Sequence, residues 1–87
     1  MKTIYLNKGK VAIIDDIDYR IVNQYRWRYK LKANGVCYAY RKKECKGKRT
    51  HISMHRFILG LLLNDKRLVD HRNFNGLDNR RSNLRLT

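Results

Sequence analysis

Tyr25-Arg26-Trp27-Arg28-Tyr29-Lys30-Leu31-Lys32-Ala33-Asn34-Gly35 alternates apolar and basic side chains and ends in a turn pair. A period of two puts Tyr25, Trp27, Tyr29 and Leu31 on one face of a strand and Arg26, Arg28, Lys30 and Lys32 on the other. Asn-Gly favours a two-residue hairpin turn, which predicts Lys32 opposite Cys37, Lys30 opposite Ala39, Arg28 opposite Arg41 and Arg26 opposite Lys43. The same register sets Leu31 against Tyr38 and Tyr29 against Tyr40 on an apolar side. Cations facing each other on the opposite side destabilise the free protein unless an anion joins them, and a phosphate backbone is such an anion. A solvated basic face that blocks edge-to-edge aggregation is the plainer reading, but lysines alone would serve for that. The arginines and the overall charge favour contact with double-stranded DNA.

Outward from the hairpin, residues 3–6 and 11–15 read as strands around the Asn7-Lys8-Gly9-Lys10 turn, and residues 16–24 as a short helix capped by Asp16 or Asp18. A third sheet strand at residues 49–54 follows the Lys46-Gly47-Lys48 turn. Residues 55–63 read as a helix ended by Asn64-Asp65, whose apolar side chains cover the apolar side of the sheet. The expected fold is α+β, a small antiparallel sheet packed on short helices. No linker, proline or low-complexity tract divides the chain, so residues 1–87 form one domain: a DNA-binding sheet and helix to about residue 64, then a C-terminal core.

Twenty-one Lys and Arg against 7 Asp and Glu give a formal net charge of +14, which draws the chain to a polyanion. Its longest apolar run, residues 57–63, is far short of the roughly 20 residues that a spanning helix needs. The N-terminus also lacks an apolar stretch followed by a small-residue cleavage site. No membrane partner is expected, and the protein is placed in the cytoplasm of a bacterial host or phage-infected cell, as a monomer or weak dimer. Cys37 and Cys45 match no structural zinc spacing and read as reduced thiols; a disulfide, or a partial metal site with His51, is the less favoured reading.

The chemistry concentrates in Val69-Asp70-His71-Arg72-Asn73-Phe74-Asn75-Gly76-Leu77-Asp78-Asn79-Arg80-Arg81-Ser82-Asn83-Leu84-Arg85. Asp70 offers a carboxylate to a hard cation beside His71, an imidazole suited to general-base work. Gly76 permits a tight loop. Asp78 is a natural N-cap, and a helix beginning there would carry Asn79 and Asn83 on one face, turned towards the Asp70-His71 pair. An Asp-His pair alone is more often a surface pair than a metal site; the spacing of Asp70, His71, Asn79 and Asn83 together favours catalysis. Asn75 reads equally well as a turn residue, His55 as a structural residue at a strand-to-helix junction, and His51 as a sheet residue. Arg80, Arg81 and Arg85 form a solvated face from which at least one is expected to reach phosphate.

This segment resembles the HNH endonucleases of phages and mobile elements, whose core reads Asp-His, a short loop containing Asn and Gly, then Leu-Asp-Asn-Arg-x-x-Asn-Leu-Arg. Gly9-Lys10-Val11-Ala12-Ile13-Ile14-Asp15-Asp16, Gln24-Tyr25-Arg26-Trp27 and Met54-His55-Arg56 resemble the N-terminal part of the same family. The resemblance implies a ββα-metal site in which His71 is the general base, Asp70 and Asn83 bind a divalent metal, and Asn79 holds the loop or His71 in place, with Asn75 supporting. Mg²⁺ is the expected ion and Mn²⁺ a substitute, because the ligands are oxygens. It also implies a three-stranded sheet like that of plant ethylene-response DNA-binding domains, and a homing role by family habit. The sequence departs from the family at Phe74, where a glycine is usual, and at Arg72, where an aliphatic residue is usual. Relatives also commonly continue into an Asn- and Gln-rich tail after the position of Leu86-Thr87.

The expected activity is metal-dependent hydrolysis of DNA, as nicking, since one site with one metal cuts one strand per visit. A DNA-binding regulator that has lost hydrolysis is the alternative. An RNA-binding module ranks third, because the expected register buries the hairpin aromatics instead of offering them for stacking.

Overall fold

The computed structural model describes residues 1–33, 35–61 and 65–86, with only the backbone at Cys45. It is a mixed α+β protein of three small antiparallel sheets and two short helices. Strands β1 (Lys2–Tyr5) and β2 (Val11–Ile14) form a hairpin, followed by helix α1 (Asp16–Val22). Strands β3 (Arg28–Leu31), β4 (Cys37–Cys45) and β5 (Lys48–Ser53) make a sheet in that order, and helix α2 (Met54–Ile58) follows directly. Strands β6 (Val69–His71) and β7 (Leu84–Leu86) pair around a loop that ends in a 3₁₀ turn at Arg81–Asn83.

One core joins these pieces. Ile4, Ala12, Ile14, Val22, Trp27, Ala39, Met54, Ile58 and Leu84 pack together, so every sheet and both helices contribute to it. The Trp27 indole N–H donates to the Val22 carbonyl at 2.8 Å, which lets a large ring be buried without an orphaned donor. The C-terminal loop is docked on the N-terminal hairpin by main-chain bonds: Ile13 N–H to the Leu77 carbonyl at 2.8 Å and Asn79 N–H to the Ile13 carbonyl at 2.7 Å.

The register of the β3–β4 hairpin differs by one residue from the expectation. Arg28 faces Tyr40, Tyr29 faces Ala39, Lys30 faces Tyr38 and Leu31 faces Cys37. The turn closes through Lys32 N–H to the Val36 carbonyl at 2.8 Å, leaving three residues between them; Asn34, on which the two-residue turn was predicted, lies outside the described residues. A slip of one moves every side chain of a strand to the other face. The core decides it: Ala39 is fully buried in the central cluster, so its side of β4 faces inward. The Gly76 main chain packs so close to β4 that a Cβ built there would lie 1.7 Å from the Cys37 carbonyl oxygen.

Further differences are local. Neither Asp16 nor Asp18 caps α1; the N-cap is Asp15, without a side-chain cap bond, and Asp18 is buried. Helix α2 stops at Ile58, four residues after it starts, because Gly60 turns left-handed at φ 73°. The expected continuation at Leu62 and Leu63 and the Asn64 stop lie outside the described residues. No helix starts at Asp78: the chain there is held in extended contact with β2 and makes only the 3₁₀ turn before β7. No described helix is long and apolar enough to cross a membrane.

Candidate functional site

Strand β6 delivers Asp70 and His71 at its C-terminal end, where successive side chains point to opposite faces. His71 turns inward. Its Nε2 lies 2.8 Å from Asn79 Oδ1, and Asn79 is wholly buried. With that oxygen accepting, Nε2 carries the ring proton and Nδ1 keeps its lone pair. Asp70 turns towards β7, where Arg85 donates to its Oδ2 at 2.6 Å. That guanidinium holds the carboxyl below the usual carboxylate range, against the opposing effect of desolvation.

Asn83 is the keystone of the loop. Its Oδ1 accepts the Asn73 N–H at 3.0 Å, while its Nδ2 donates to Asn73 Oδ1 at 2.9 Å and to the Asp78 carbonyl at 2.8 Å. Asn73 Nδ2 in turn donates to Asp78 Oδ2 at 2.9 Å. Asp78 is buried and ion-paired with Arg80 at 2.7 Å, which holds its carboxyl below the ordinary range although burial opposes the shift. Asn75 makes a side-chain turn, its Oδ1 accepting the Leu77 N–H at 3.0 Å, in line with its turn reading. Sequence reasoning passed over Asn73; its place between His71 and a run of Asn and Asp residues was the available signal.

The donor chemistry of Asp70 and Asn83, a carboxylate and an amide oxygen, suits a hard divalent cation. As they stand, however, both are engaged, Asp70 by Arg85 and Asn83 within the loop. A cation would have to displace those partners. Among the described residues no group of three His, Cys, Asp or Glu side chains is assembled for a metal.

His55 is the second residue of α2, at the strand-to-helix junction, with its ring 5.0 Å from that of His71 and 6.5 Å from that of Tyr38. Burial, reinforced by His71, Arg56 and Lys32, pushes its pKa down to about 3, so this imidazole is neutral. Its Nδ1 is buried without a hydrogen-bond partner among the described residues.

The basic surface differs from the expected one as a consequence of the register. Arg28 and Lys30 share a face with Tyr38 and Tyr40, with Lys32 Nζ 5.0 Å from the Tyr38 ring and Lys30 Nζ 5.9 Å from the Tyr40 ring. Lys42 belongs to that face and is exposed, and Arg26 is exposed just before β3. Arg41 and Lys43 lie on the opposite face. The Arg41 guanidinium is 3.9 Å from the Tyr25 ring centroid and near Trp27 and Phe57, a structural cation–π cluster. On the face of Arg28 and Lys30, Tyr40 is nonetheless buried and Tyr38 half-buried, so of the two only Tyr38 is in part open to stacking. Arg80 is spent on Asp78, and Arg81 on Asp18 at 2.8 Å. The Cys37 thiol is free, and that of Cys45 lies outside the described residues.

Comparison of the chain with protein-family models, with curated proteins and with solved structures returned no match.

Proposed function

We propose that the protein is a metal-dependent DNA endonuclease that nicks one strand, with His71 as general base. The observation that carries this reading is the bond of 2.8 Å between His71 Nε2 and the buried Asn79, because it fixes the ring and leaves Nδ1 to take a proton from water. Strands β6 and β7 would serve as the two strands of a ββα-metal core. Asp70 and Asn83 would hold Mg²⁺, or Mn²⁺, once Arg85 and Asn73 give way. A bound divalent cation supplies charge stabilisation at the phosphate and at the leaving oxygen. Arg28, Lys30, Lys32 and Lys42 would bring the duplex to this edge by neutralising phosphates.

Supercoiled plasmid incubated with the protein and Mg²⁺ or Mn²⁺ should yield relaxed circles, and chelator should abolish them. His71→Ala should slow the conversion by about 10²–10⁴-fold. The second reading, a DNA-binding protein without hydrolysis, is favoured by the Arg85 pair on Asp70 and by the enclosure of Asn83. If wild type and His71→Ala bind DNA equally and neither nicks it, the second reading stands and the first fails.

A further inference from the structure

Beside His71 lies a cavity of about 310 Å³ that phosphodiester chemistry does not use. Tyr38 and Lys32 come to it from the hairpin, His51 and Ser53 from β5, and His55 and Arg56 from α2. Its size is at the lower end of the range for small-ligand sites, about 300–1,000 Å³, and too small for duplex. One wall is the half-buried Tyr38 ring, placed between Tyr40 at 6.1 Å and His55 at 6.5 Å. The His55 ring lines the cavity, but its Nδ1, without a partner among the described residues, is buried and does not open onto it. The exposed Lys32, its ammonium 5.0 Å from the Tyr38 ring centroid, provides a cation at the cavity. Arg56 is committed to the protein, donating to the Arg67 carbonyl at 2.6 Å and to the Asp65 carbonyl.

An aromatic face and a cation in a cavity of this size suit a single nucleotide. The His55 ring, which lines the cavity, is 5.0 Å from that of His71, so a nucleotide held here is continuous with a strand whose neighbouring phosphate reaches His71. We propose that the cavity receives one unpaired nucleotide of DNA next to the phosphate presented to His71, with its base on Tyr38 and its phosphate neutralised by Lys32. The inference rests on His71 as the centre that the DNA approaches. It names the substrate class: DNA with a base already out of the stack, as at a bulge or mismatch, because extruding a paired base costs a few kcal/mol.

The test is fluorescence anisotropy of the full chain in chelator, with two labelled duplexes identical except for one unpaired nucleotide. Wild type should bind the bulged duplex about tenfold more tightly, equivalent to about 1.4 kcal/mol. Tyr38→Leu should bring the two affinities within about twofold while retaining the paired duplex, and Tyr38→Phe should keep the preference. With 2-aminopurine as the unpaired nucleotide, its emission should change on binding wild type, a readout that needs no variant. Equal affinity of wild type for the two duplexes, an unaltered 2-aminopurine emission, or a full preference in folded Tyr38→Leu overturns the pocket. None of these measurements involves cleavage. A preference without plasmid nicking would defeat the nuclease reading alone, and nicking without a preference would defeat the pocket alone.

Discussion

Phe74 holds a left-handed backbone, φ 62°, with its side chain 88% exposed, and its N–H donates to the His71 carbonyl at 2.9 Å. Burial offers this residue nothing in exchange for a conformation that costs a non-glycine residue about 1–2 kcal/mol. The turn after His71 holds this position at positive φ, a conformation that glycine adopts without steric cost. Phe74→Gly should therefore stabilise the protein, by up to about 1 kcal/mol after the extra freedom that glycine gives the unfolded chain. A rise in Tm of a few degrees would record it, and a fall would show that the turn is not the constraint. His55 carries a second residue-scale prediction. The unfolded chain protonates this imidazole near pH 6.5 and the folded one only near 3, so the unfolded state binds the extra proton between those values. Its contribution is fully present above pH 6.5 and is lost as pH falls towards 3, with a slope of at most about 1.4 kcal/mol per pH unit. Urea titrations across that window should show this slope in wild type and a shallower one in His55→Gln.

Among the elements, the β3–β4 hairpin shows where sequence pattern stops being decisive. Alternation from Tyr25 to Lys32 predicts a strand, and β3 is one, but alternation is equally satisfied by two registers one residue apart. The choice falls to tertiary packing, which puts Ala39 in the core, and the same strand is pressed by Gly76, distant in the chain, at the Cys37 carbonyl. Gly76→Ala should accordingly be among the most damaging small substitutions in the molecule. Its Cβ would meet main-chain atoms that cannot rotate away, and a loss of several kcal/mol in urea unfolding is expected, well beyond the usual effect of one methyl group. The register also separates the hairpin cations by role. Arg28→Ala with Lys30→Ala should reduce the slope of log K against log salt by about 1.8 for two lost phosphate contacts, leaving the fold intact. Arg41→Ala should leave that slope unchanged and lower stability instead, because its guanidinium lies on Tyr25. Equal slopes for wild type and the double variant would remove this face from the interface.

At the scale of the whole molecule, the loop between β6 and β7 is held by residues far from it in sequence. Arg81 donates through its side chain to both Asp18 oxygens, at 3.0 and 2.8 Å, and to the Ile58 carbonyl at 3.3 Å, while its N–H donates to Asp15 at 2.9 Å. One arginine thus joins the 3₁₀ turn to α1 and α2. Removing it would leave the Asp18 carboxylate buried and unpaired, so Arg81→Ala should cost about 3–5 kcal/mol, and Asp18→Asn less. Equilibrium unfolding of the two variants decides the order. The phosphate-binding role expected for Arg81 from its place in a basic run gave no hint of this, since a run of charges says nothing about which carboxylate each one meets.

The sequence by itself determined the strands of the first two sheets, the starts of the two small helices, the grouping of Asp70, His71, Asn79 and Asn83 into one segment and the strongly basic surface, because these follow from local periodicity, turn chemistry and composition. Tertiary structure alone decided that β4 turns Ala39 inward and leaves Tyr38 half-buried on the other face, that the segment after Asp78 runs along β2 and ends in β7 instead of forming a helix, and that Asn83 closes the loop. Each of those outcomes depends on steric fit or on a buried polar group finding its partner across long stretches of chain, and neither leaves a periodic trace in the residues involved.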